Sequence, residues 1–246
     1  MLSTLTATRG EQGFEWRAGE ITRLEAFSDA VFAFAVTLLV VSLEVPRTYH
    51  DLLNVIKGFP AFAICFAMLT LVWYQHSKFF RRYGLQDTYT VFLNGVLLFV
   101  VLFYVYPLKF LFTNLVGELS NGMLLPPNSA EGPLKLTVGD TRALMLIYGL
   151  GFAAVFGVFA LLYLYAYRKR TALKLNELEI HRTRHSLIDN CGMAGIGLAS
   201  AGATFVLPDR LVGLAGLIYF SIGIYEWIAG AILGKHEQRI KQRMTG

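Results

Sequence analysis

Charged residues are scarce in this sequence, and their scarcity excludes most kinds of soluble protein. Only 16% of the 246 residues are Asp, Glu, Lys or Arg, whereas a soluble domain has about 25%. Hydrophobic residues make up 55% of the chain, and the mean hydropathy is +0.51. A disordered chain has the opposite composition. The balance indicates an integral membrane protein.

Cysteine is scarce as well, which excludes two further classes. The two cysteines, Cys65 and Cys191, both lie in apolar stretches, so neither a disulfide framework nor a metal cluster can be built from them. The net charge of +5 would suggest a nucleic-acid partner in a soluble protein. In a membrane protein the positions of the charges describe topology instead, and we expect no nucleic-acid partner, no metal and no cofactor.

Six segments are long and apolar enough to cross about 30 Å of hydrocarbon as helices. The sequence therefore predicts an all-α, six-span membrane protein, and no signal peptide precedes the first span. The predicted spans are Phe27–Val45, Gly58–Phe80, Thr88–Phe112, Ala143–Tyr167, Ile188–Leu207 and Leu211–Leu233.

The distribution of Lys and Arg predicts the orientation of these spans. Sixteen of the 22 basic residues fall in the N-terminal segment, the second and fourth connections and the C-terminal tail, and six fall on the other side. By the positive-inside rule both termini are cytoplasmic. The predicted organisation is a cytoplasmic segment over 1–26, a membrane domain over 27–234 and a basic cytoplasmic tail over 235–246.

Two motifs invite a functional interpretation, and the first has a simple structural one. Residues 137–140 read TVGD, which partly matches the TVGYG carbonyl filter of ordinary potassium channels. The tyrosine and the second glycine of that filter are absent. The motif is typical of a polar loop that turns into the fourth span.

The second motif opens the first span, where Arg23 is followed by Phe27, Ser28 and Asp29. One interpretation is that Ser28 or Asp29 caps the helix and that the acid complements the helix dipole. However, an ionisable side chain at membrane depth usually has a specific partner or a functional role.

This arrangement, Arg-x-x-x-Phe-Ser-Asp at the start of a first span, resembles the hallmark of the transmembrane protein 175 family. Trp73 and His76 near the end of the second span, and Leu93 with Asn94 at the start of the third, are also similar to the family. The resemblance implies a potassium-permeable channel of a prokaryotic inner (plasma) membrane that lacks the glycine-rich filter. It also implies that each chain has one six-span unit and that four chains form a homotetramer surrounded by membrane lipid. The implied permeant ions are monovalent cations, potassium above all.

Helical periodicity places one set of first-span residues on a common face. The set is Phe27, Ala30, Phe34, Thr37, Leu38, Val41 and Glu44. The resemblance implies that this face lines a central pore, with Phe34, Leu38, Val41 and Thr37 at the constriction and Glu44 at the outer mouth. Family members usually have Ile or Leu where this chain has Phe34. The alternative is that these side chains face lipid or neighbouring helices.

The polar residues near the cytoplasmic ends of the first two spans lie at similar depth. We expect them to form one buried polar network that supports the pore helix, although a histidine such as His76 also occurs at the lipid headgroups. The expected members are Arg23, Ser28, Asp29, Trp73 and His76, with Phe27 completing the motif.

Two other classes of function remain as alternatives. A proton-coupled secondary transporter would use Asp29, His76 and Glu226 as a relay, but the spans lack the paired Gly/Pro interruptions that mark transporter sites. An intramembrane enzyme would need paired carboxylates, metal-ligand spacing or an activated nucleophile at one depth. None is recognisable in the sequence, which predicts that the protein is not an enzyme.

Overall fold

In the computed structural model, the chain is described over residues 14–17, 19–41, 46–124 and 137–227, and these residues are almost entirely helical. Residues 221–227 continue the last helical segment as an α-helix. The helices are α1 (Arg23–Val41), α2 (Tyr49–Lys57), α3 (Phe59–Tyr83), α4 (Thr88–Leu119), α5 (Val138–Arg168), α6 (Glu177–Val206) and a 3₁₀ helix over Asp209–Phe220.

Reciprocal side-chain caps define where several helices begin. Thr137 accepts a hydrogen bond from the Asp140 N–H while Asp140 accepts one from the Thr137 N–H. The TVGD motif therefore caps and begins α5, five residues before the predicted start of the fourth span, where a polar loop was predicted. The same arrangement joins Thr22 and Glu25 before α1. The prediction that Ser28 or Asp29 caps α1 is therefore wrong, because α1 begins at Arg23, five residues before Ser28.

Four helices are long and apolar enough to cross a membrane: α1, α3, α4 and all but the first residue of α5. Helices α4 and α5 contain the third and fourth predicted spans, α3 begins one residue after the predicted start of the second, and α1 covers the first as far as Val41, with 42–45 outside the described residues. The fifth predicted span lies within α6 except for its last residue, and the sixth begins in the 3₁₀ helix. Neither segment reaches the same length and hydropathy among the described residues. The short amphipathic helix α2 was not predicted, and α4, which contains Pro107, continues seven residues beyond the predicted end at Phe112.

Small residues let α5 and α6 pack closely. A Cβ added to Gly149 of α5 would lie 2.8 Å from Ala201 Cβ and from the Gly197 carbonyl oxygen of α6, and one added to Gly197 would lie 2.9 Å from the Ala153 nitrogen. Each helix thus presents Gly-x-x-x-Ala to the other, which lets the two backbones approach closely. The lower hydropathy of α6 as a whole reflects the charged residues in its first half, among them Glu177, Arg182 and Arg184.

Contacts between distant segments show which helix ends lie together. Asp87, at the start of α4, accepts hydrogen bonds from Tyr165 and Lys169 at the end of α5. At the other end of the bundle, the start of α5 contacts the end of α6, where Arg142 binds Asp209 at 2.6 Å. The ends that carry most of the basic residues of the described chain therefore share one end of the bundle, which we call the basic end.

Candidate functional site

Helix α1 has a buried face and an exposed face, and the predicted stripe lies on the exposed one. Ser28, Phe32, Ala35 and Leu39 are at most 4% exposed and pack toward α3 and α4. On the opposite side, Phe34 is 56% exposed. The buried residues recur at helical spacing and form one face of α1. The exposed stripe forms the other face, which is left open by the rest of the described chain.

The members of the stripe differ in how fully they face outward. Phe27 and Val41 are exposed, as is Thr37, whose hydroxyl donates to the Ala33 carbonyl at 2.9 Å. Leu38 is only half-buried and packs against the edge of the hydrophobic core. Glu44 lies outside the described residues.

The predicted polar network divides into two parts. In the first, the Trp73 indole Nε1–H donates to Asp29 Oδ1 at 2.7 Å. Trp73 is 37% exposed and Asp29 is half-buried, so this bond lies at the surface of the protomer. It ties the flank of α1 to α3.

The second part is fully buried and depends on Asn94 of α4. The Asn94 Nδ2 group donates to Ser28 Oγ at 2.9 Å, and Asn94 Oδ1 lies 2.7 Å from His76 Nε2. Ser28 in turn donates to the Leu24 carbonyl at 2.8 Å. The chain of bonds connects α1, α4 and α3 through residues that are each at most 1% exposed.

The direction of these bonds fixes the tautomer of His76. Asn94 uses its amide as the donor toward Ser28, so its oxygen must accept from His76, and Nε2 carries the proton. His76 Nδ1 is buried and has no hydrogen-bond partner within the described residues. The ring packs 4.6 Å from Phe80 and 5.6 Å from Phe32, measured between ring centroids.

Two expectations about the network need correction. Asp29 and Trp73 are not deeply buried. Arg23 lies at the exposed start of α1, and no hydrogen bond joins it to Asp29 or His76 in the described part of the chain. Phe27 lies on the exposed stripe, as its helical spacing predicted. Sequence reasoning placed all of these groups at one depth but could not tell on which side of each helix they project.

Asn94 and the N-terminal segment were not predicted to hold this end of the protein together. An amide in the apolar first half of α4 was the available signal for Asn94. For the N-terminal segment there was none, because Arg17 meets its partner Glu179 across 162 residues of sequence. The Arg17 N–H also donates to the Arg81 carbonyl at 3.1 Å, and Phe14 is buried against Tyr83.

Glu179 is the buried centre of this N-terminal attachment. Its carboxylate receives both Nη groups of Arg17, at 2.6 and 3.0 Å, and the Glu15 N–H at 3.0 Å. Burial alone would raise the pKa of Glu179, but the hydrogen bonds from Arg17, Asn176 and Glu15 outweigh it and hold the pKa below its ordinary value. We call residues 14–17 with this contact the N-terminal strap.

Glu226 lies apart from the motif residues. It is exposed, and it lines a cavity together with Asp189 and Asn190 of α6 rather than with Asp29 or His76. The three residues of the transporter alternative therefore do not line one continuous site in the described structure.

Comparison with known proteins gives consistent matches over most of the chain. A family model described as endosomal/lysosomal potassium channel TMEM175 matches residues 23–104. A potassium channel of Marivirga tractuosa is 40% identical over 233 residues, which span 93% of this chain and 94% of the relative. A second potassium channel, from Chamaesiphon minutus, is 35% identical over 96 residues, or 36% of this chain and 47% of the relative.

Two solved structures are also similar. The crystal structure of a variant of the potassium channel MtTMEM175, in complex with a nanobody–MBP fusion, superposes with a TM-score of 0.80 at 40% identity. That match covers 92% of this chain and 98% of the other. A lysosomal potassium-selective channel TMEM175 homolog from Chamaesiphon minutus matches with a TM-score of 0.50 at 23% identity, covering 87% and 96% of the chains, and supports the fold alone.

Proposed function

This chain belongs to the TMEM175 family of potassium channels, and from that premise we propose that the exposed stripe of α1 forms the narrowest part of its ion pathway. It is a membrane protein and a channel, not an enzyme. The observation that carries the proposal is the sidedness of α1: Phe34 and Val41 are exposed while Phe32 and Leu39, on the other face, are buried. An apolar face without a partner in its own chain is suited either to lipid or to copies of itself around an axis.

A homotetramer would bring four such faces together. Phe34 would then form a ring of phenyl groups, with Thr37, Leu38 and Val41 following toward the outer end. An apolar ring restricts permeation by expelling water, so a passing ion must shed part of its hydration shell. Potassium holds its water less tightly than sodium does, and such a ring therefore favours potassium without a carbonyl filter.

The buried and surface hydrogen bonds behind the stripe would keep α1 in position. Asn94 anchors α1 through Ser28, and Trp73 holds Asp29 at the flank. In this role the polar groups orient the pore helix and do not line the pathway. Glu44 would form a ring of carboxylates at the external mouth, where negative charge raises the local concentration of cations.

The proposed topology has six spans with both termini in the cytoplasm of a prokaryote, in the inner membrane. The membrane domain covers 27–234, between the segment 1–26 and the tail 235–246. Helix α6 and the helical segment that begins at Asp209 would supply the fifth and sixth spans. The clustering of Arg17, Arg81 and Lys169 at the basic end supports this orientation.

Recording from purified protein in a planar bilayer tests the proposal most directly. With potassium on one side and sodium on the other, and no proton gradient, we expect a current whose reversal potential lies on the side expected for potassium selectivity. A proton-coupled transporter using Asp29, His76 and Glu226 would instead give a current that follows the proton gradient. That result would contradict the channel mechanism.

A further inference from the structure

A polar cavity lies between α3, α5, α6 and residues 221–227. Its volume is about 320 Å³, which is in the range of small-molecule sites. Helix α1 contributes none of its lining. The polar lining residues are Tyr74, Gln75, Lys78, Tyr163, Ser186, Asp189, Asn190 and Glu226.

Two buried acceptors in this cavity lack donors. Asn190 is 6% exposed, and its Oδ1 has no hydrogen-bond partner among the described residues, although its Nδ2 donates to the Ser186 carbonyl at 2.7 Å. Asp189 Oδ1 is likewise buried without a partner in that part of the chain. Buried polar atoms are normally satisfied, so a ligand of this cavity should bring N–H or O–H donors.

The charges of the lining favour a cationic ligand. Asp189 and Glu226 supply two carboxylates, and Lys78 supplies one ammonium group, which lies 5.7 Å from the centroid of the Tyr74 ring. Behind the cavity, His185 Nδ1 lies 3.6 Å from Asp189 Oδ2. The lining residues themselves therefore carry two carboxylates against one ammonium group, an excess of negative charge.

A second cavity extends the first into the apolar part of the bundle. Its volume is about 260 Å³, and it shares Leu71, Gln75, Phe156 and Met193 with the polar cavity. Its other lining residues are almost all apolar. A bare ion would leave most of both cavities empty, since even a water molecule takes only about 30 Å³, whereas an amphiphile would fill a polar and an apolar chamber together.

We propose that the two cavities bind a phospholipid whose head group carries a primary ammonium. Its N–H groups would donate to Asp189 Oδ1, Asn190 Oδ1 and the Glu226 carboxylate, and one acyl chain would occupy the apolar chamber. Lys78 would lie on the side of the phosphate. A trimethylammonium head group has no N–H to donate, so the site discriminates between the two head groups by hydrogen bonding.

The test uses the full-length purified protein and does not depend on ion conduction. The protein in mild detergent is given an equimolar mixture of phosphatidylethanolamine and phosphatidylcholine, and bound lipid is counted by native mass spectrometry. We expect about tenfold preference for phosphatidylethanolamine, since hydrogen bonds to charged groups discriminate by this order. Soluble phosphoethanolamine, which lacks acyl chains, should not displace the bound lipid.

Three variants locate the preference in this cavity. Asn190→Leu and Glu226→Gln should each bring the preference toward one, by removing an acceptor or a charge. Glu226 is exposed, so its variant should fold even where Asn190→Leu does not. Glu177→Gln, an exposed acid on the same helix α6, is the matched control and should retain the preference.

Other results would overturn the proposal. Equal retention of the two lipids by the unmodified protein would exclude recognition of the ammonium group. Displacement by soluble phosphoethanolamine would exclude a lipid as the required ligand. No lipid preference together with loss of the oligomer in Glu226→Gln would assign the cavity to contacts between copies of the chain.

Discussion

The guanidinium group of Arg17 meets the carboxylate of Glu179 through two parallel hydrogen bonds, from Nη2 to Oε2 at 2.6 Å and from Nη1 to Oε1 at 3.0 Å. The Glu179 side chain is 1% exposed and that of Arg17 is 17% exposed. A two-pronged pair of this kind, with one partner removed from water, has a defined geometry and depends on both members. It fixes the segment before α1 onto α6.

Removal of Arg17 should therefore destabilise the protein. In Arg17→Ala the buried carboxylate loses its counter-charge, which typically lowers the free energy of unfolding by about 3–5 kcal/mol. Thermal unfolding in mild detergent measures the change. Arg168→Ala removes an exposed arginine at the same basic end and should change the unfolding temperature little; an equal loss in both variants would contradict the assignment.

The same pair predicts a dependence on pH. Because the pKa of Glu179 is lowered in the folded protein from its ordinary value of 4.5, the pair contributes stability above that ordinary value. The contribution is lost as the pH falls through the lowered pKa. The stability difference between the unmodified protein and Arg17→Ala should accordingly be full near pH 7 and narrow below about pH 4.5, as measured by unfolding at a series of pH values.

Substitution of Asn94 should lower the stability of the protein by more than the loss of one hydrogen bond would, because its side chain bonds two buried groups. Asn94→Ala leaves Ser28 without its donor and His76 without its acceptor, and each unsatisfied buried group typically lowers stability by about 1–3 kcal/mol. Asn114→Ala is the matched control and should be close to neutral, because Asn114 is only half-buried and its amide donates to the Phe110 carbonyl of the same helix. Comparable unfolding temperatures for the two variants would show that the buried chain of bonds is not needed for stability.

Phe34 and Phe32 provide a matched pair on opposite faces of α1. If Phe34 forms the constriction, Phe34→Ala should raise conductance and reduce discrimination between potassium and sodium, because a wider ring is easier to wet. Phe34→Ile should restore selectivity. Phe32→Ala should leave permeation alone but lower stability by about 3–5 kcal/mol, since Phe32 is 4% exposed.

Bilayer recording and thermal unfolding of these variants distinguish the possible roles of the stripe. Unchanged conductance and selectivity in Phe34→Ala would place that residue against lipid. The stripe would then not be the pore face.

Two glycines of α5 should respond oppositely to the same substitution. A methyl group at Gly149 would meet Ala201 and the α6 backbone at 2.8 Å, whereas at Gly157 nothing lies within 4 Å. We expect Gly149→Ala to destabilise the protein by about 1–3 kcal/mol through overpacking. Gly157→Ala should stabilise it by about 0.5–1 kcal/mol through helix propensity. Thermal unfolding of both checks the close approach of α5 and α6.

The proposed orientation can be tested by labelling introduced cysteines in intact cells with a membrane-impermeant maleimide. Thr171, between α5 and α6, and Met123, after α4, are both exposed. In a background with the exposed Cys191 replaced by serine, Met123→Cys should be labelled from outside. Thr171→Cys should be labelled only after the membrane is permeabilised; labelling without permeabilisation would reverse the topology.

The helices of the apolar stretches and the exposed stripe of α1 could be predicted from the sequence, because both follow from hydropathy and a period of 3.6 residues. Periodicity also separated Phe34 from Phe32 without any knowledge of the neighbours. It could not predict α2, where a Thr48–Asp51 cap begins a short helix that is not apolar enough to read as a span. The predicted third span was also shorter than α4, because Thr113 and Asn114, which follow its predicted end at Phe112, are polar.

The contacts between helices could not be predicted from the sequence, and the reason is different. Asp29, Trp73, His76 and Ser28 lie at similar depth, but depth does not determine which side chains face each other. The division into a surface pair and a buried chain depends on where Asn94 projects from α4. The meeting of Arg17 with Glu179 depends on the complete arrangement of helices, and no local pattern encodes it.

The N-terminal strap also constrains the order in which the protein can be completed during its synthesis. Arg17 emerges from the ribosome early, yet the carboxylate that receives it is made 162 residues later. The helices from α1 to α5 are therefore all synthesised before the strap has its binding partner on α6. A chain interrupted before Glu179 leaves Arg17 without that carboxylate, while Phe14 packs against Tyr83 of α3, so a closed Arg17–Glu179 pair marks a chain whose synthesis has reached α6.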